Sequence, residues 1–190
     1  MSPLYIIRHG ETKLNANSII IGWQDIELTN KGKKTAKKIA SFLKNKKIDK
    51  IVSSNLKRAK ETASIIAQEI GITDIKISQK LNEIKYGELE GERKALIRKK
   101  IPKYHNNIYF KNPKGESFKD LEKRIIKKIK ELEGKKENIL IVTHAGCMRV
   151  IYSYYTHTPL EKNITMKISH ETVYRCNKTK KGKNLKIIYE

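Results

Sequence analysis

The sequence predicts an α/β sandwich around a mostly parallel β-sheet. Three observations carry this expectation. Two apolar runs, Leu4–Ile7 and Ile139–Val142, have the length of buried strands and end abruptly in polar residues. Amphipathic helical patterns alternate with such runs along the chain. The length of 190 residues suits one domain with a substantial core, so residues 1–190 read as a single domain.

The elements follow in order. Leu4-Tyr5-Ile6-Ile7 is the first strand, and Arg8-His9-Gly10 falls at its carboxyl end. That is the edge at which open α/β sheets bind ligands. Gly10 allows a sharp turn and a close backbone approach to a ligand. Lys13 to Glu27 reads as a loop holding Asn15, Gly22, Trp23 and Asp25. Thr29 is the N-cap of a helix whose apolar positions, Ala36, Ile39, Ala40 and Leu43, recur at three and four. Ile48 to Ser54 is a second strand. Leu56 to Ile70 is a helix closed by Gly71. Arg58 lies in its first turn, where the macrodipole disfavours a cation unless an anionic partner is near.

Ile75 to Ser78 is a short strand, and Leu81 to Gly91, rich in Gly and Glu, a folded loop. Residues 92–116 read as a helix plus a short lid over the strand ends. Ser117 caps a helix burying Phe118, Leu121, Ile125, Ile129 and Leu132, closed by Gly134. Ile139 to Val142 then runs into Thr143-His144-Ala145-Gly146, repeating the opening pattern, with a helix from Cys147 to about Thr156. The tail holds three strand-like pieces: Met166 to Ser169, Val173 to Cys176, and Leu185 to Tyr189.

Composition bounds the function. The net charge is +22, but the excess is almost all lysine, 35 against 7 arginines, spread along the chain with isoleucine and asparagine. That pattern fits codon bias rather than a nucleic-acid patch, although the field draws in small anions. No apolar run approaches the ~20 residues of a membrane span. Met1 is followed almost at once by the first strand, so no signal peptide is expected. Cys147 and Cys176 are too few for a disulfide framework. The expectation is a cytoplasmic chain with no membrane and no specific nucleic-acid partner.

The two strand ends point to phosphate chemistry. Arg8 and Arg58 offer planar donor forks suited to phosphate. His9 offers a neutral nitrogen that can attack phosphorus in line with the leaving oxygen. The arginines and His144 stabilise the equatorial oxygens, and a carboxylic acid protonates the leaving alkoxide. The residues alone do not choose Glu83 over Glu88 or Glu90 for that acid.

Arg8-His9-Gly10-Glu11-Thr12 resembles the opening motif of the histidine phosphatase superfamily, which includes the cofactor-dependent phosphoglycerate mutases. The resemblance continues through Asn15, Gly22 with Asp25, Leu28-Thr29 with Gly32, and Ser53-Ser54-Asn55-Leu56-Lys57-Arg58-Ala59 with Thr62-Ala63 after it. It extends through Glu83 with Gly87 and Glu90-Gly91, Gly115-Glu116-Ser117, and Val142-Thr143-His144-Ala145-Gly146. It implies a three-layer α/β/α sandwich with a mostly parallel mixed sheet. It implies His9 as the nucleophile that becomes phosphohistidine, and Glu83 as proton donor and acceptor. Arg8, Arg58 and His144 would hold the phosphoryl group, with Asn15 contacting the phosphate region.

The short lid and the Tyr86-Gly87-Glu88-Leu89-Glu90-Gly91 loop are more similar to the phosphatase branch, including α-ribazole and phosphoserine phosphatases. Ile168-Ser169-His170-Glu171-Thr172-Val173 resembles the late segment of the α-ribazole phosphatases. The expected activity is a metal-independent phosphomonoester hydrolase. It needs no cofactor and acts on a small phosphorylated substrate; a homodimer is left open. Mutase-type transfer and a non-catalytic polyanion binder on the same fold are the alternatives. A cysteine phosphatase is excluded because Cys147 and Arg149 are only two positions apart. His144 and Cys147 lack a second ligand pair for zinc. His105, His157 and His170 read as surface or core histidines, His170 alone being a site candidate.

Overall fold

The computed structural model describes residues 2–179 and 182–190; the side chain of His105 also lies outside the described set. Six strands form one sheet: β1 (Leu4–Arg8), β2 (Lys50–Ser53), β3 (Ile75–Ile77), β4 (Ile139–Thr143), β5 (Val173–Thr179) and β6 (Gly182–Tyr189). The α-helices are α1 (Lys13–Ala16), α2 (Asn30–Leu43), α3 (Lys57–Ile70), α4 (Lys94–Lys100), α5 (Phe118–Glu133), α6 (Ala145–Thr156) and α7 (Leu160–Asn163). The strand order is β3-β2-β4-β1-β5-β6. The first four are mutually parallel; β5 runs antiparallel to β1, and β6 antiparallel to β5.

Alternation along the strands creates the layers. On one face Leu4, Ile6, Ile139 and Ile141 pack with Leu121 and Ile125 of α5 and Val150 and Ile151 of α6. On the other, Tyr5, Ile7, Leu140 and Val142 pack with Ile39 and Leu43 of α2 and Ala63 and Ile66 of α3. The result is the expected three-layer sandwich with a mixed sheet. Register pairs Arg8 with Thr143 and Ser53 with Val142, so β1, β2 and β4 end together at one edge.

The caps sit where the sequence puts them. The Thr29 hydroxyl accepts from Gly32 N–H at 3.0 Å, and Ser117 forms a capping box with Asp120. Gly71 takes the left-handed conformation, φ 74°, that ends α3.

Two expectations are corrected and a third is made specific. Met166 to Ser169 is not a strand: β1 already pairs with β5, and the Ile168 carbonyl is taken by the Arg8 guanidinium, so this segment runs as a loop. The Lys13–Glu27 loop opens with the short helix α1, because Thr12 and Asn15 form a capping box. The close approach that Gly10 permits is to the backbone of Gly32. A Cβ on Gly10 would fall 2.6 Å from the Gly32 carbonyl oxygen, so its absence lets β1 pack against the start of α2.

The lid segment carries α4 and a further helical turn at Pro102–His105. Ile97 and Tyr104 from it pack on Ile20 and Leu89, away from the main cores.

Candidate active site

His9 leaves the sheet edge with 2% of its surface exposed. Its backbone N–H takes the last rung to the Thr143 carbonyl at 2.9 Å. Its Nδ1 lies 2.7 Å from the Gly10 carbonyl oxygen. A carbonyl only accepts, so Nδ1 carries the proton and Nε2 the lone pair. The Arg58 Nε–H donates to that Nε2 at 3.2 Å, as this tautomer requires. Burial first, then Arg58, holds the His9 pKa well below its usual range. The ring is therefore neutral, with its nucleophilic nitrogen fixed beside a cation.

Arg58 is buried in the first turn of α3. Nη1 and Nη2 donate to the carbonyls of Gln24 and Gly22 at 2.9 and 2.8 Å, which fixes the guanidinium plane. Arg8, at the end of β1, is tied through Nη1 to the Ile168 carbonyl at 2.8 Å. Burial lowers both guanidinium pKa values to about 10, with Glu83 opposing, and both groups stay charged at neutral pH. His144, at the end of β4, meets the Ser54 hydroxyl through Nε2 at 2.7 Å, and its ring centroid lies 5.0 Å from that of His9. Burial, then Arg58, lowers its pKa well below the usual range.

Three buried polar atoms here lack a protein partner: Arg8 Nε, Asn15 Nδ2 and His144 Nδ1. Buried polar atoms are normally paired, so these three side chains are set to meet an additional group. Arg8, His9, Asn15, Arg58 and Glu83 line one cavity of about 460 Å³. His144 is fully buried beside His9.

The structure distinguishes the three glutamates. Glu83 lines the cavity, and its carboxylate accepts from the backbone N–H of Ile84 at 3.0 Å and of Gly146 at 3.1 Å. Glu88 is exposed and paired with Lys114. Glu90 Oε1 accepts from the N–H groups of Trp23, Tyr86 and Gly87, so it ties two loops together. Gly146 has no side chain because the Glu83 carboxylate occupies that space; a Cβ there would overlap Glu83 Oε1. The carboxylate ends a flexible side chain and can swing away at little cost to the fold. Gly146→Ala is therefore expected to leave thermal stability nearly unchanged while lowering kcat on an alkyl phosphate by about 10-fold or more. Unfolding scans and steady-state kinetics on the same preparation check this.

Several residues take positioning roles that the sequence does not assign. Thr62 accepts from Gly10 N–H at 3.0 Å and donates to the Arg58 carbonyl at 2.7 Å, linking the two motif turns. Asn82 Oδ1 accepts from Ser54 Oγ and Asn55 N–H, at 2.8 and 2.9 Å, behind His144. Arg124 binds the Lys80, Asn82 and Glu83 carbonyls and the Glu116 carboxylate, bracing the loop that carries Glu83. The Trp23 indole N–H donates to the Glu83 carbonyl at 2.6 Å. The Gly115-Glu116-Ser117 motif was a signal for Arg124's partner, but nothing marked Arg124 itself. Cys147 is a packing residue: its thiol donates to the Asn82 carbonyl, and burial pushes its pKa up to about 12.

A neutral imidazole lone pair held beside two guanidinium groups, on the strand ends of an α/β sheet, is a setting for handling phosphoryl groups. The chain belongs to the histidine phosphatase superfamily (branch 1), whose model matches residues 4–190. It is 34% identical over 163 residues to a phosphoglycerate mutase of Schizosaccharomyces pombe, covering 78% of this chain and 76% of that one. It is 31% identical over 169 residues to a 6-phosphofructo-2-kinase/fructose-2,6-bisphosphatase of Arabidopsis thaliana. That match takes 84% of this chain but spans only 22% of the relative's length. Among solved structures, Bacillus stearothermophilus YhfR superposes with a TM-score of 0.88 at 28% identity, covering 99% of this chain and 96% of that one. The α-ribazole phosphatase of Shigella flexneri shares the fold, with a TM-score of 0.87 at 24% identity, over 99% and 96% of the two chains. Among the described residues no helix is long and apolar enough to cross a membrane.

Proposed function

We propose that this chain is a metal-independent phosphomonoester hydrolase that works through a phosphohistidine at His9. The observation that carries the reading is the His9 ring: Nδ1–H is committed to the Gly10 carbonyl, which leaves the Nε2 lone pair beside Arg58. In the first step Nε2 attacks phosphorus, the bond from phosphorus to the ester oxygen breaks, and Glu83 gives its proton to the departing oxygen. In the second, the Glu83 carboxylate takes a proton from water. The water oxygen bonds to phosphorus, the P–N bond breaks, and neutral His9 and phosphate are regenerated. Arg8 and Arg58 hold the phosphoryl oxygens and Asn15 Nδ2 supplies a further donor; His144, its Nε2–H given to Ser54, joins them once Nδ1 takes up a proton. A non-catalytic polyanion binder would have no use for a tautomer-fixed imidazole or a poised carboxyl group.

The cavity is cationic beyond the phosphoryl site. Of the lid cations, Lys94 and Arg98 reach its wall while Arg93, Lys99, Lys100 and Lys103 do not; Arg149 and Lys167 also line it. Tyr86, Tyr104 and Phe118 add aromatic surface. This lining supports a small substrate with a second anionic group.

The identity to a phosphoglycerate mutase favours transfer as the second reading. A mutase must keep a bisphosphate away from water while it reorients. The cover here is one short helix, α4, and the turn after it, which supports hydrolysis. Phosphate release from a panel of phosphomonoesters, measured after exhaustive chelation, tests the proposal, with 3-phosphoglycerate plus catalytic 2,3-bisphosphoglycerate as a parallel arm. Hydrolysis undiminished by chelation is expected. Loss restored by Mg²⁺ or Zn²⁺, or 2-phosphoglycerate formed faster than phosphate from any ester, would overturn it.

A further inference from the structure

The sheet stops supporting the chain at His9. Its N–H still reaches Thr143, the last residue of β4. Its carbonyl has no such rung, because β4 gives way to α6 at Ala145. A buried carbonyl without a donor is costly. The donor comes from a side chain 161 positions away: His170 Nδ1 lies 2.6 Å from the His9 carbonyl oxygen. As a carbonyl only accepts, His170 Nδ1 carries the proton. The His170 ring also stands edge-on to the His9 ring, with centroids 5.5 Å apart and planes at 63°.

We propose that His170 is a positioning residue, which holds the His9 peptide and one side of its ring so that Nε2 keeps its aim. The His9 peptide and ring are then held from four directions. These are Thr143 on the N–H, His170 on the carbonyl, Gly10 on Nδ1 and Arg58 on Nε2. The Gly10 carbonyl that fixes the tautomer belongs to the next peptide, so a shift of the His9 carbonyl moves the acceptor of Nδ1 as well. Burial, then Arg8, pushes the His170 pKa down to about 4. The ring is thus neutral at pH 7 and adds no cation beside the nucleophile. Only one ring nitrogen is needed, and an asparagine amide can place a donor near the position of Nδ1.

The catalytic side of this inference rests on His9 being the nucleophile; the structural side does not. The test compares wild type, His170→Asn and His170→Leu, each with an unfolding scan. Kinetics on p-nitrophenyl phosphate are read beside the ¹⁵N tautomer signals of His9. For His170→Leu, kcat is expected to fall about 10- to 100-fold with KM within about twofold, the scale of a misaimed reacting group. Its His9 signals should move from the Nδ1–H tautomer toward a mixture. His170→Asn should restore both readouts to near wild type. A folded His170→Leu with wild-type tautomer signals would overturn the proposal, as would His170→Asn as impaired as His170→Leu. If His170→Leu does not fold, His170→Asn against His170→Ala decides by the same two readouts. If no variant or wild type turns over, the phosphohistidine reading fails, and the tautomer signals still decide the role of His170.

Discussion

His9→Ala is expected to lower phosphate release by roughly four to six orders of magnitude, the scale seen when a covalent nucleophile is removed. The loss should appear in kcat. Arg8 and Arg58 are held by the carbonyls of Ile168, Gln24 and Gly22, independently of the imidazole. Phosphate-like inhibitors such as vanadate should therefore still bind, though without the bond to Nε2. The fold should survive, because the removed ring sits at a sheet edge rather than between the two cores. Steady-state kinetics with an unfolding scan check this; activity within tenfold of wild type would remove His9 from the mechanism.

Glu83→Gln should show the second-largest effect, and its size should depend on the leaving group. Glutamine keeps an acceptor for the N–H groups of Ile84 and Gly146 that hold the carboxylate. It cannot deliver a proton. On alkyl phosphates the expected loss is about 10²- to 10⁴-fold, the usual contribution of a general acid. In the first turnover of p-nitrophenyl phosphate the loss should be about tenfold or less, because that leaving group departs without protonation. Stopped-flow release of p-nitrophenolate beside steady-state alkyl phosphate hydrolysis separates the two. Equal losses on both substrates would assign the proton to another group, with Glu88 next to be tested.

The parts of this protein that the sequence exposes are those fixed by local pattern. The apolar runs of β1 and β4 end in Arg8-His9 and Thr143-His144, and parallel pairing brings the two ends together. The caps at Thr29 and Ser117 were visible for the same reason, each acting within three residues. Asn15 was legible only through family resemblance, yet its backbone role is local: it completes the capping box with Thr12. The choice of Glu83 needed three dimensions, since only geometry sends Glu88 to solvent and Glu90 to the backbone of two loops.

What stayed hidden rests on single hydrogen bonds across long separations. Thr62 reaches Gly10 over 52 positions, Ser54 reaches Asn82 over 28, and His170 reaches His9 over 161. Thr62, Ser54 and His170 all fall in stretches that carry the family resemblance, but a polar residue bears no mark of which distant partner it meets. The segment Met166 to Ser169 misled in the same way. Its alternating pattern resembles a strand, but alternation there serves to bury Ile168 under the site while its carbonyl holds Arg8. In the lysine-rich lid, only the path of α4 shows that Lys94 and Arg98 are the cations that reach the cavity.

The central claim is a covalent phosphoryl group on His9. Rapid mixing with ³²P-labelled p-nitrophenyl phosphate, an alkaline quench that preserves phosphoramidates, and peptide mapping test it directly. The predicted result is label on the peptide containing His9, approaching one per chain in Glu83→Gln and absent from His9→Ala. Label on any other residue, or turnover by wild type with no label trapped at any time point, would contradict the account.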